Sequence, residues 1–216
     1  MQAQEEVRIH RRLVHENIVR CPHAFTDGTS TYLILELCHN ESIQHMLHRR
    51  ESSRLTEPET KYYLKQLVGA LKYLHDERYV AHRDVNPATL LLDKNMQLKL
   101  SGFGLARELQ ATQTNGRSAS IAKGSGGSPA FMAPESIKTK AGRTTRHAPS
   151  FEVDVWSVGA VCFNTLVGKS PFATNDAEVT YQRILDNDYD FPDNIDVSED
   201  ARDLIGRLLR TDPSDR

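Results

Sequence analysis

The chain has 216 residues, 38% of them hydrophobic and 26% charged, with a formal net charge of −2 at pH 7. Such a balance describes an ordinary folded domain, large enough for a sizeable core and readable as one or two lobes of one fold. It supplies no basic field for nucleic acid or an anionic membrane, and no segment has the apolar length of a membrane span or a signal sequence. A cytoplasmic or nuclear protein with neither nucleic-acid nor membrane partners is therefore expected.

Residues 2–13 read as a helix, with Val7, Ile9 and Leu13 set among charges. Two apolar runs, 18–25 and 32–37, flank the turn signal TDGTS and predict a β-hairpin. Residues 56–75 form the clearest amphipathic helix. Thr56 and Glu59 make a capping box, Pro58 sits in the first turn, and Tyr63, Leu64, Leu67, Val68, Leu71 and Leu74 recur at helical spacing. Short strands are expected at 90–92 and 98–100 around the turn DKN. Residues 107–129 are rich in Gly, Ser and Thr and read as a flexible loop, and KTKAGRTTRHAPS (138–150) as a solvated surface loop. Residues 151–167 are apolar on nearly all sides, as in a helix inside a core, with Gly168 as its C-cap. Helices follow at 175–186 and 198–210, the latter capped by Ser198 and presenting Ala201, Leu204, Ile205, Leu208 and Leu209 as one face. A short β-containing start before a helical remainder makes the fold α+β. Cys21, Cys38 and Cys162 are far apart and flanked by apolar residues, which fits reduced, mostly buried thiols. Six of the nine histidines fall in the first fifty residues, but none has a metal-ligand spacing completed by a carboxylate, so no metal site is expected from them.

HRDVNPATLLL (82–92) sets His-Arg-Asp on a loop between a helix and a short strand, and it resembles the catalytic loop of protein kinases. Five further segments stand in family order and spacing: KLSGFGLAR (99–107), SPAFMAPE (128–135), DVWSVG (154–159), GKSPF (168–172) and RLLRTDPSDR (207–216). The resemblance covers nearly the whole chain. Within kinases it is nearest the polo-like Ser/Thr family, carried by YLILELCHN, SFEVDVWSVG, LVGKSPF and EVTYQRI.

The resemblance implies a partial small lobe over 1–37, a hinge at 38–40 and a large lobe over 41–216. Within the large lobe lie a catalytic loop at 82–89 and an activation segment at 102–135, and the family's last helix is absent. Asp84 stands where the family accepts the substrate hydroxyl's proton. Arg83 stands where it grips a phosphorylated activation loop, and Ser128 where a Thr orients the catalytic Asp. Leu35 becomes the gatekeeper, and Glu36, Leu37 and Cys38 border the adenine. Arg216 is expected to pair with Glu135, and Asp154 to be structural. The conventional phosphosite falls near Gly124, with Ser125 and Ser128 the nearest hydroxyls. Glu6 takes the place of the helix Glu that pairs with the ATP-anchoring Lys. The Gly-rich loop and that Lys would precede this sequence, so Glu6 is expected to be a solvated helix residue.

Three positions depart from the family pattern. Gly102 replaces the metal-binding Asp, Thr89 the metal-binding Asn, and Asn86 the catalytic-loop Lys. Losing one well-placed electrostatic group costs about 10²–10³ in rate. The first expectation is therefore a pseudokinase that acts by binding a partner protein. The alternatives are an ATP- and magnesium-dependent Ser/Thr kinase within a longer product, acting on a protein substrate, and a truncated fragment without function. A centrosomal location is possible by resemblance.

Overall fold

The computed structural model describes residues 2–109, 128–140 and 150–216. Most of the loop expected at 107–129, with Gly124 and Ser125, lies outside the described residues, as does most of the stretch expected at 138–150.

The first helix, α1 (Gln2–His10), buries Ile9 and His10 and is shorter than expected. After His10 the chain tightens, with Arg12 N donating to Ile9 O and Leu13 N to His10 O. The hairpin forms from β1 (His23–Thr26) and β2 (Thr31–Ile34), paired antiparallel from His23 opposite Ile34 to Thr26 opposite Thr31. The Asp27 carboxylate closes its turn by accepting from the backbone N–H groups of Thr29 and Ser30 and from the Tyr32 hydroxyl.

A short helix, α2 (Ile43–Arg49), leads to α3 (Glu57–Lys72). At the start of α3 the capping box is complete: Thr56 Oγ1 accepts from Glu59 N, and Glu59 accepts from Thr56 N. Arg50 adds a two-pronged pair to the same Glu59 carboxylate. The helix does not run on to residue 75 in α form. Its last turn widens into a π-helical segment, Tyr73–Glu77, a distortion that is frequent at functional sites.

Two-residue β3 (Val80–Ala81) follows, then β4 (Leu90–Leu92) and β5 (Leu98–Leu100), an antiparallel pair. Beyond β5 comes β6 (Arg107–Glu108), antiparallel to β3. The expected loop at 107–129 therefore begins with an ordered strand. Two residues are too few to show an alternation, and the pairing is with the sequence-distant β3, Val80 opposite Glu108 and Ala81 opposite Arg107.

The remaining helices are α4 (Pro134–Lys140), α5 (Glu152–Val167), α6 (Ala177–Asp186) and α7 (Glu199–Leu208). Residues 138–140, expected in a loop, complete α4. Thirteen of the 16 residues of α5 are buried, which makes it the central post of the helical lobe. Its Val158 and Val161 belong to one hydrophobic cluster with Leu67, Leu71, Leu92, Leu100 and Phe103, while its Trp156 and Phe163 belong to a second with Phe172, Ile184 and Ile205. Gly168 ends α5 with φ +86°, and a Cβ there would meet the Ser53 carbonyl oxygen at 3.0 Å, so glycine is required twice over. In α7, Ile205 and the following Leu209 are fully buried, whereas Leu204 is 45% exposed. The five-residue apolar face expected there is thus wider than the surface it packs on.

The fold is α+β, with a sheet-poor start and a helical remainder. Among the described residues no helix is long and apolar enough to cross a membrane. Cys21 and Cys162 are buried and Cys38 is half-buried, all as free thiols.

Candidate active site

The loop at 82–89 is hung from α5 by one carboxylate. Asp154 has no exposure. Its Oδ1 accepts from Arg83 N (2.7 Å), and its Oδ2 accepts from His82 N (2.8 Å) and from His75 Nε2 (2.8 Å). His75 reaches it from the π-helical segment and also stacks on Phe151. Arg83 adopts φ +69°, a left-handed conformation uncommon for a non-glycine residue. The two short bonds to Asp154 hold that turn in place.

His82 is fully buried and spans the site. Its Nε2 donates to Ser101 O (2.8 Å), and its Nδ1 accepts from Asp84 N (3.2 Å). Burial holds its pKa below the usual value, so it is a neutral positioning group. Phe103 packs edge-on against it and also meets His10 of α1, the rings tilted by 36° with centroids 4.4 Å apart. This links α1, the segment at 101–105 and the loop in one buried chain of rings. Burial also lowers the pKa of Arg83, with repulsion from Arg107 adding to the effect.

Asp84 is half-buried beside Asn86, whose Nδ2 donates to Asp84 Oδ1 (2.9 Å) and Asp84 O (3.0 Å). Burial pushes the Asp84 carboxyl up to about 6, against the pull of the Asn86 hydrogen bond. Its folded-state value thus lies above the unfolded one. The charged form costs stability, with the cost fully present above about pH 6 and absent below about pH 4. Asp84→Asn is expected to raise stability by about 1–2 kcal/mol at pH 7.5, a figure discounted for the group's partial exposure. The gain should vanish as the pH falls toward 4. Urea unfolding at both pH values checks this.

Asp84, Asn86, Thr89 and Ser128 share the walls of one cleft of about 520 Å³. Ser128 is exposed at its rim. Gln44, His48 and Asn164 also line it. No motif marks these three, and only the packing of α2 and α5 beside the loop brings them in. The 35–38 segment leaves β2 with Leu35 43% and Leu37 70% exposed. Glu36 is held by Lys99 (2.7 Å) and accepts from Arg20 N. Asn40, next in line, is tied to β4 through Leu92 O and to Asp93 O.

Glu6 corrects an expectation. It is half-buried rather than solvated, and burial raises its pKa. Its carboxylate faces Gly104, where a Cβ would come within 3.5 Å of Oε2. Helix α1 is instead fastened by pairs that sequence reasoning missed: Arg8 and Arg12 both grip Glu108 of β6 at 2.6 Å, and Gln2 Nε2 donates to Gly104 O. At the far end of the segment, Arg216 meets Glu135 through two hydrogen bonds of 2.7 and 2.9 Å.

A magnesium ion needs hard oxygen donors in near-octahedral array. Position 102 offers no side chain. The Thr89 hydroxyl is already engaged, accepting from Asn86 N (3.1 Å) and facing the carbonyls of Asp84 and Asn86 (2.9 Å each). Among the described residues no three His, Cys, Asp or Glu side chains are grouped to hold a metal. The donor set does not fit the ion.

A family model described as "Protein kinase domain" matches residues 1–216. "Probable serine/threonine-protein kinase CCRP1" of Zea mays is 42% identical over 211 residues, which are 98% of this chain and 31% of that protein. "Inactive serine/threonine-protein kinase PLK5" of Mus musculus is 38% identical over 213 residues, 99% of this chain and 33% of that protein. "Serine/threonine-protein kinase PLK1" of Xenopus laevis is 37% identical over 211 residues, 98% of this chain and 32% of that protein. The chain spans no more than a third of the length of these relatives.

Proposed function

Because the chain belongs to the protein kinase family, as a Ser/Thr kinase domain related to the polo-like kinases, we propose that it is a pseudokinase that works by binding a partner protein. One observation carries this reading. Gly102 and Thr89 stand where the family ligates the cation that neutralises the phosphates, and neither offers a carboxylate. Without that countercharge a bound triphosphate loses most of its transition-state stabilisation. A mouse relative 38% identical to this chain carries the word "Inactive" in its name, which is in keeping with the reading. The binding surface would be the large-lobe scaffold around Glu135 and α6, in the cytoplasm or nucleus, with the centrosome possible by resemblance.

A second reading, an ATP- and magnesium-dependent Ser/Thr kinase, draws on the retained Asp84 in an open cleft. In it Asp84 would take the hydroxyl proton and Ser128 would steady it. Arg83 would hold an anion, and Leu35, Glu36, Leu37 and Cys38 would border the adenine.

Thermal melting with ATP, and with ATP plus magnesium, separates the two. A ligand at 100 times its dissociation constant stabilises by about 2.7 kcal/mol, worth about 5–10 °C for a chain of this size. The pseudokinase reading expects no shift that depends on magnesium. A magnesium-dependent shift, with phosphate transfer abolished by Asp84→Asn, would install the second reading instead.

A further inference from the structure

The lost metal position is filled. Gly102 has φ +81° and ψ +47°, the left-handed region that Asp and Asn enter more readily than most residues. Backbone conformation alone therefore does not exclude an aspartate there. The space does. A Cβ at position 102 would lie 2.7 Å from Thr89 Cγ2 and 3.4 Å from Thr89 Cβ, whereas carbon atoms rest about 3.5–4.0 Å apart.

Neither residue can give way cheaply. Turning the Thr89 side chain would carry Oγ1 away from Asn86 N and from the carbonyls of Asp84 and Asn86. Moving the backbone is no easier, because Thr89 O accepts from both Ser101 N (2.9 Å) and Ser101 Oγ (3.0 Å). Ser101 immediately precedes Gly102, so the two positions are laced together just where they meet.

We infer that Thr89 and Gly102 are a matched pair, in which the Thr89 methyl group plugs the side-chain space of position 102 and keeps a cation-binding carboxylate out. The loss at 102 cannot be reversed by one substitution. The pair is also what decides whether this cleft takes a divalent cation. The inference rests, for its functional meaning, on the reading of residues 82–104 as an altered phosphotransfer site.

A melting cycle on the full chain tests it, using Thr89→Ser, Gly102→Asp and the two together. Serine keeps the hydroxyl with its hydrogen bonds and removes only Cγ2. Thr89→Ser should melt within about 2 °C of the parent, a small change of the kind expected where no packing is lost beyond one methyl. Gly102→Asp should melt about 5–10 °C lower, from overpacking of a tied segment. Thr89→Ser with Gly102→Asp should recover at least half of that loss. If Gly102→Asp fails to fold, a soluble double variant supports the pairing and an insoluble one counts against it. Gly102→Asp melting like the parent, or a double variant no better than the single, would overturn the plug.

Melting with and without Mn2+ reads the second half of the inference. A cation-dependent rise is expected only when Gly102→Asp is joined to Thr89→Asn, which supplies two oxygen donors. A folded Thr89→Asn/Gly102→Asp variant indifferent to Mn2+ would refute control by this pair. The two readings fail separately. If Gly102→Asp proves harmless while the parent ignores magnesium, the plug is wrong and the pseudokinase stands. If the parent itself responds to Mn2+ and magnesium-ATP, both fall.

Discussion

Asp154→Asn is expected to lower the stability of the chain by about 3–5 kcal/mol, although it changes neither size nor shape. The reason is the acceptor count. Asp154 is wholly buried and receives three donors, the N–H groups of His82 and Arg83 and the Nε2 of His75. An ionised carboxylate is acceptor-only on both oxygens, so all three bonds are charge-assisted. Asparagine has one acceptor oxygen, and its amide nitrogen would face a donor whichever way it is turned. At least one buried N–H would lose its partner at the root of the loop that carries Asp84. Asp154→Ala should be at least as damaging. Urea unfolding at neutral pH measures the loss, and a change below about 1 kcal/mol would show that the loop is held by something else.

Arg216→Ala is expected to cost a similar amount, about 3–5 kcal/mol, by breaking a buried ion pair from one side. The Arg216 side chain has no exposure and that of Glu135 has 7%. The guanidinium donates twice to Glu135, once to Glu152 O and once to Arg210 O, and lies over the Trp156 ring at 5.1 Å. Removing it strips the carboxylate of its two-pronged partner and uncovers the ring. Arg216→Lys keeps the charge but not the planar fork, and should recover less than half of the loss. Because the pair is shielded from solvent, raising the salt concentration should scarcely change these costs. A double-mutant cycle with Glu135→Ala should show a coupling of about 1–3 kcal/mol. Additive single effects would mean that the two side chains act independently.

These costs fall on residues whose importance has different visibility in the sequence. The Thr56–Glu59 capping box and the Gly168 terminator are legible because each is settled within a few residues of chain. The long helix at Glu152–Val167 is legible because burial on all sides leaves an apolar run with few alternatives. The ordered run of six motifs is legible because chance does not repeat such spacing. Other features had no local signal. The strand at Arg107–Glu108 exists only because Val80–Ala81 lies beside it. Glu6 is expected to be solvated because the Lys that pairs with it in the family is not among these residues, and its half-burial beside Gly104 exists only in the folded chain. Leu204 read as core because helical spacing marks a face without saying how far the neighbouring helices reach.

Composition, periodicity and motif spacing are local or additive properties, so the fold class and the order of the elements are legible in the chain, as are the uncharged side chains of Asn86 and Thr89 and the bare backbone of Gly102. What packs around these three positions depends on contacts between distant parts of the chain. The Thr89 methyl reaches position 102 because loop and strand are laced through Ser101. The Asp84 carboxyl is pushed up to about 6 because the folded chain withdraws it from water. Burial and contact between distant residues exist only once the chain has closed on itself, and they set the chemistry of this site.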